Sequence, residues 1–355
     1  MITTINNKHN KLNVPNLRFK EFQGEWEEYR IEDITENISS GKCKSHSSNG
    51  EYNLYGSTGI IGKTDEACYE GNLVLVARVG ANAGFLQIIN EPCGITDNTL
   101  IIKPQMVGAQ YIYYYLQHFN LNRLIFGSGQ PLITGGMLKK VKVSLGNIQE
   151  QNKLTRLLSL LDERIATQNK IIDKLQSLIK GIAQKIVRNN KPNVRLAECL
   201  ECKSSTLQES EVCEQGTYPV YGANGIVGYL DNYNTEGEAV YIIKDGSGVG
   251  TVSYVTGKCS ATGTLNTLQA KDGYSLQYLY YLLKVFNFEP YKTGMAIPHI
   301  YFKDYGKAKV FCPSYTEQLQ YARLLSAIEG KLSIEKNILI SLSLQKQYLL
   351  RQMFI

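Results

Sequence analysis

The chain is written twice. "YNLYGSTGIIGKTD", Tyr52 to Asp65, returns 166 residues later as "YPVYGANGIVGYLD", Tyr218 to Asp231. "ARVGANAG", Ala77 to Gly84, matches "IKDGSGVG", Ile243 to Gly250, at the same offset. Asn98, Thr99 and Leu100 return as Asn266, Thr267 and Leu268. "YIYYYLQHFN" from Tyr111 returns as "YLYYLLKVFN" from Tyr278. "EQNKLTRLLSLLDERI" from Glu150 returns as "EQLQYARLLSAIEGKL" from Glu317, 167 residues on. The small drift in offset is what loop insertions produce. The period is far too long for a solenoid, so one domain-sized unit has been duplicated in tandem.

The duplication also judges motifs, because chemistry common to both halves should survive in both. "LYGSTGIIGKT", Leu54 to Thr64, ends like a phosphate-binding loop. Such a loop needs a first glycine five positions before Gly62, and Ser57 stands there. The second copy replaces Lys63 and Thr64 by Tyr229 and Leu230, losing the lysine and the hydroxyl that would meet magnesium. What both copies keep is Tyr-Gly-x-x-Gly-Ile-x-Gly, a pattern for turns and close backbone approach. The reading is a structural turn.

Each unit opens with a mixed region of about 130 residues. "NLVLVARV", "FLQII", "EAVYIIK" and "GTVSYVT" read as strands, and Tyr111 to Asn120 and Tyr278 to Asn287 as helices. Each unit closes differently. Leu154, Leu158, Leu161, Ile165, Gln168, Ile172, Leu175 and Ile179 keep a 4,3 spacing that continues to Ile186, a heptad seam with one polar layer. Tyr321, Leu325, Ile328, Leu332, Glu335, Leu339 and Leu342 repeat it, with Glu335 in the place of Gln168. At ~1.5 Å per residue the first helix spans roughly 50 Å. The expected class is α+β: two tandem globular domains, each followed by a long helix. The two helices pair as an antiparallel coiled coil, which relates the halves by a pseudo-two-fold axis. The expected boundaries are an arm at 1–16, domains at 17–146 and 191–313, and helices at 147–190 and 314–355.

Composition narrows the function. No apolar run reaches the ~18 residues that span a bilayer, and "MITTINNKHNKLN" has no signal-peptide core, so a cytoplasmic protein is expected. Eight cysteines in 355 residues are too sparse for a disulfide scaffold. A net charge of +6 permits a polyanionic partner. Cys199 and Cys202 form a lone C-x-x-C, and the first copy has Ile34 and Asn37 near the equivalent places, which argues against a duplicated metal site. There is no Pro-Pro-aromatic tetrapeptide of an amino-methyltransferase, and "FGSGQP" (Phe126 to Pro131) lacks the spacing of an AdoMet loop. No catalytic or metal-binding residues are assigned. A binding protein is favoured; the rivals are a stand-alone DNA-binding or coiled-coil scaffold protein and a nuclease or methyltransferase with an unrecognised site.

"VPNLRFKEFQGEWEEYRIEDI" (Val14 to Ile34) resembles the start of specificity subunits of type I restriction–modification systems. So do the two Tyr-Gly-x-x-Gly-x-x-Gly loops, "SGQPLITGGMLKKVKV" (Ser128 to Val143) with "TGMAIPHIYFKDYGKAKV" (Thr293 to Val310), and the Glu-Gln that opens each long helix. The second copy lacks the Arg-Phe-x-x-Phe entry and sets Met295-Ala296 against Gln130-Pro131. The resemblance implies two target recognition domains, each reading one part of a split DNA sequence, with the helices setting the gap. It implies no cofactor in this chain. The expected partners are double-stranded DNA, two modification subunits that methylate adenine with AdoMet, and restriction subunits that use ATP and Mg2+.

Basic loop residues suit phosphates, and polar loop residues suit base edges. For phosphate the candidates are Lys42, Lys44 and Lys63 in the first half and Lys203, Lys244 and Lys292 in the second. For bases they are Arg78, Asn82, Ser128, Gln130 and Thr134, then Asn224, Ser247, His299 and Tyr301. Arg78 and Lys244 are equivalent and each precedes a glycine-rich turn; His299 lies in the loop that holds Thr134 in the first copy.

Overall fold

The computed structural model describes residues 2–4, 13–43, 47, 49–125, 131–294 and 296–355. The chain divides into two compact units, Met1–Gln168 with Ile338–Ile355, and Asn169–Asn337.

The first unit is built on a four-stranded antiparallel sheet in the order Thr35–Ser40, Thr99–Pro104, Asn72–Ala77, Leu86–Asn90. Residues 73–77 of the strand Asn72–Ala77 form an unbroken apolar run because both faces are covered. Val74 and Val76 pack with Tyr111, Ile112, Tyr115 and Leu116 of the helix Ala109–Phe119. The alternate residues Leu73 and Leu75 pack with Cys93 and Ile95 of a second, three-stranded sheet. That sheet is the hairpin Tyr52–Gly56 and Gly59–Thr64, with Cys93–Ile95 added parallel to its first strand. A pair, Glu27–Arg30 with Lys142–Leu145, closes the domain.

Among the described residues, the additional pair Ile2–Thr4 with Leu17–Phe19 belongs to the first unit alone; the second unit repeats the other three sheets. Its four-stranded order is Leu200–Ser204, Leu265–Ala270, Ala239–Ile243, Val252–Val255. Its three-stranded sheet is Tyr218–Gly222, Gly225–Leu230 and a parallel Ser260–Ala261. Val194–Arg195 with Lys309–Val310 is the closing pair. The expected helix from Tyr278 instead runs Leu276–Leu283. Ser275 caps its start, accepting from Tyr278 N. Its end comes early because the chain turns to bury Phe288 against Gly250 and Tyr305.

The suspected phosphate loop is the turn of the first hairpin. Gly59 sits at φ +135° and Gly225, its counterpart, at +101°, where a side chain would be strained. A Cβ on Gly56 would meet Ile61 at 2.8 Å, and one on Gly222 would meet Val227 at 2.7 Å. A strand follows this turn, whereas a phosphate loop needs a helix to present its N–H groups. Thr64 is buried against the Cys43 thiol.

The long helices run Ile148–Asn189 and Tyr315–Met353, each shared between the units. Leu154, Leu158, Ile172, Ile179, Leu325, Leu332 and Leu342 are buried, and Leu161, Ile165, Leu175, Ile328 and Leu339 half-buried. Gln168 is buried, and Glu335 keeps 13% of its side chain exposed with Lys331 at 3.3 Å. In the first unit Lys346 of the second helix reaches Asp162 of the first at 2.6 Å. In the second unit Ile179 and Ala183 share a cavity of about 310 Å3 with Leu332 and Glu329. Equivalent tyrosines tie each domain to the helix that follows it. Tyr114 donates to Asp162 at 2.9 Å, and Tyr281 to Glu329 at 2.8 Å.

The end of the second helix docks on the first domain. His118 is half-buried there, and its Nδ1–H donates to the Leu350 carbonyl at 2.8 Å. Burial lowers the His118 pKa, against the opposing pull of that hydrogen bond. A group whose folded pKa is depressed loses stability as pH falls, because the unfolded chain takes up the proton first. The first unit should therefore weaken between pH 7 and 5. Urea midpoints across that window should fall for the native chain and fall less for His118→Gln.

Candidate nucleic-acid interface

Two loops meet at the end of each central strand. In the first unit the strand Asn72–Ala77 delivers Arg78, and the chain turns through Gly80 and Gly84 at φ +79° and +87°. The Arg78 carbonyl accepts from Ile133 N at 2.8 Å, and Gly80 N donates to the Pro131 carbonyl at 3.0 Å. The second unit repeats the seam. Ile300 N donates to the Lys244 carbonyl at 2.9 Å, Gly246 N to the Pro298 carbonyl at 3.0 Å, and Gly246 and Gly250 take φ +93° and +90°. This pairing corrects the loop alignment: Pro131 corresponds to Pro298, and His299 stands opposite Leu132, with Tyr301 opposite Thr134. Ala296 is not the counterpart of Pro131, because the segment keeps the 167-residue offset of the helices.

The two seams gather much of the candidate set. Arg78 and Lys244 are half-buried at the roots of their turns, and Asn82 and Ser247 are exposed on them. Arg78 Nη1 reaches Ser40 Oγ at 3.4 Å, while its buried Nε has no hydrogen-bond partner among the described residues. Thr134 caps the short helix Gly135–Lys139, its hydroxyl accepting from Met137 N at 3.3 Å, so its role in this loop is structural as well as positional. Tyr301 holds the same N-cap position before Phe302–Tyr305 without a side-chain cap bond. The residue is 48% exposed, with the Lys303 ammonium 5.2 Å from its ring centre. His299 Nδ1 lies 2.6 Å from Asp245 Oδ1.

Other candidates lie elsewhere. The turn of the first hairpin joins the Arg78 loop, since Ser57 Oγ and Arg78 N both donate to the Asn98 carbonyl. Lys63, however, is exposed several residues down the strand from that turn, roughly 15 Å by strand rise. Lys42 is exposed beyond the strand Thr35–Ser40. Asn224 is exposed in the turn of the second hairpin. Lys203 lies on an edge strand, donates to Gln269 at 3.2 Å, and lines a polar groove of about 550 Å3 with Ser204, Thr206 and Asn232. Lys292 is paired with Glu289 at 2.6 Å, which offsets its charge locally. Lys44, Ser128 and Gln130 lie outside the described residues.

Sequence reasoning missed Asp245, Leu132 and Ser40. Asp245 had a signal: in the aligned turns it replaces Val79, a carboxylate gained at the end of a buried strand. Among the described residues no group of three or more His, Cys, Asp or Glu could hold a metal ion, and no helix is long and apolar enough to cross a membrane. Cys199 of the C-x-x-C lies 3.9 Å from the Cys312 sulfur.

The family model for the type I restriction modification DNA specificity domain matches the chain twice, over residues 23–177 and 190–344. A Mycoplasma genitalium protein described as a type I specificity subunit is 25% identical over 335 residues, 86% of this chain and 87% of that one. The specificity subunit of the type I restriction enzyme MjaVIII of Methanocaldococcus jannaschii is 29% identical over 191 residues, 47% of this chain and 44% of its own. In fold the chain resembles the crystal structure of the S subunit of a type I restriction–modification system from M. genitalium. The TM-score is 0.72 and the identity 20%, covering 96% of this chain and 99% of that one.

Proposed function

This chain belongs to the family of type I restriction modification DNA specificity domains, which it carries twice, and we propose that it is the DNA-reading subunit of such a system, without chemistry of its own. One observation carries the reading: a framework of the same three sheets is built twice, while the loops at the ends of its central strands bear different side chains. Two copies of one reader with different reading residues suit a target in two unlike parts. The paired helices set the distance between those parts. Arg78 and Lys244, cationic in both copies at the same seam, anchor DNA. Asn82, Ser247, His299 and Tyr301 lie around them for contact with bases.

Methylation of adenine with AdoMet belongs to two modification subunits in this reading, and ATP- and Mg2+-dependent cleavage to restriction subunits. The purified chain, given AdoMet and DNA, should transfer no methyl group, and addition of modification subunits should switch transfer on. Methylation by the lone chain would sink the proposal. Arg78→Ala should weaken binding to the native target by about 1–3 kcal/mol and leave random DNA much less affected, the signature of a lost base contact. Equal losses on both DNAs in a titration would make Arg78 a phosphate contact.

A further inference from the structure

Each recognition domain carries one isolated backbone bridge between its glycine turn and the following loop. In the first domain the bridged residues are Val79 and Leu132; in the second they are Asp245 and His299. The backbone around the bridge is held constant. The flanking hydrogen bonds are the same, Gly80 and Gly84 recur as Gly246 and Gly250, and the next residues inward, Ile133 and Ile300, are both buried. The cations beside it, Arg78 and Lys244, keep their sign. Other side chains of these loops differ as well, Ala81 and Thr134 standing where the second copy has Ser247 and Tyr301, but the two bridged side chains change together, from two aliphatic groups to an acid and an imidazole. They are also within reach of a partner: Leu132 is 40% exposed, and the side chains of His299 and Asp245 are 35% and 34% exposed.

We infer that this bridged pair sets the base preference of each domain. The inference rests on the proposed DNA-reading function and assigns it to particular atoms. In the second domain the Asp245 carboxylate can only accept, so the hydrogen at 2.6 Å sits on His299 Nδ1. That fixes the tautomer and leaves Nε2 as the ring's acceptor. A neutral imidazole held this way presents an acceptor, which suits the amino group of cytosine or adenine in the major groove. Asp245 is then a positioning residue and His299 the reader. In the first domain Val79 and Leu132 offer only methyl groups, which suit the C5-methyl of thymine. A polar base edge facing them would lose its hydrogen bonds, so each pair also rejects the base that the other accepts.

The test exchanges the pairs in the full chain, assembled with modification subunits, and sequences the sites methylated in a library with both half-sites randomised. Asp245→Val with His299→Leu should change the preference at one or two base pairs of one half-site by about tenfold or more, leaving the other half-site intact. Val79→Asp with Leu132→His should do the converse. Asp245→Asn keeps an acceptor for Nδ1–H and should retain the native preference, which a purely electrostatic brace would not. An unchanged motif from folded exchange variants overturns the inference, and so does loss of preference in Asp245→Asn alone. If one exchange fails to fold, the reciprocal exchange and Asp245→Asn still decide. If the native assembly selects no sequence at all, the DNA-reading proposal fails instead, and the two failures are thereby distinct.

Discussion

Glu150→Ala should destabilise the first unit by about 3–5 kcal/mol, the range for breaking a buried ion pair from one side. Glu150 is 2% exposed at the start of the first long helix. Its carboxylate takes two bonds from Arg18, at 2.7 and 2.8 Å, and one from Trp26 Nε1 at 3.1 Å. Arg18 is itself buried and spans back to the carbonyls of Gln23 and Gly24. Removal of the acid strands a guanidinium away from water. The duplicated residue Glu317 gives the control. It is exposed and accepts from Ser314 N and Oγ, while Ser314 Oγ accepts from Glu317 N, a capping box. Glu317→Ala should cost only about 1 kcal/mol. The double variant Arg18→Met, Glu150→Leu should recover most of the loss, since an apolar pair needs no desolvation of charge. Urea unfolding of the three variants measures all of this. A Glu150→Ala loss as small as that of Glu317→Ala would show that the ion pair is not holding the helix.

The second large effect is expected at the other helix. Phe354→Ala should cost about 3–5 kcal/mol. Phe354 is 2% exposed and wedged between Tyr111, Tyr115 and His118, with ring centres 5.4, 5.8 and 5.7 Å away. Next to it Tyr115 OH donates to the Ile355 carbonyl at 3.3 Å. Truncation opens a cavity and loosens the end of the helix from the domain. Its counterpart by the repeat, Val187, is 39% exposed, so Val187→Ala should stay within about 0.5 kcal/mol. Similar midpoints for the two variants would mean that the terminal residues do not brace the first domain.

These two anchors mark the limit of what could be read from the chain alone. The duplication, the central strands and the heptad seams were legible because they are local or periodic. An apolar run such as residues 73–77 states that both its faces are covered, and a 4,3 spacing states which helix face is inside. The Glu-Gln that opens both helices was legible as a pattern but not as chemistry. The glutamines keep one role, Gln151 donating to Gly146 O and Gln318 to Pro313 O. The glutamates diverge, because only the first copy has an Arg18 to meet. Such contacts join residues more than a hundred positions apart, and no local propensity encodes them. The candidate interface was legible by half. Arg78 and Lys244 stood out as equivalent cations before a glycine turn. The pairing of Asp245 with His299 needed the loops to be sewn together, and the counterpart of His299 was misplaced for want of that register.

In the proposed function one chain reads two unlike half-sites held at a fixed gap. Mapping of methylated adenines on DNA modified by this chain with its modification subunits tests it most directly. The expected result is one motif in two short parts, different in sequence and separated by a constant number of unspecified base pairs. A single continuous motif, or a gap that varies from site to site, would contradict it.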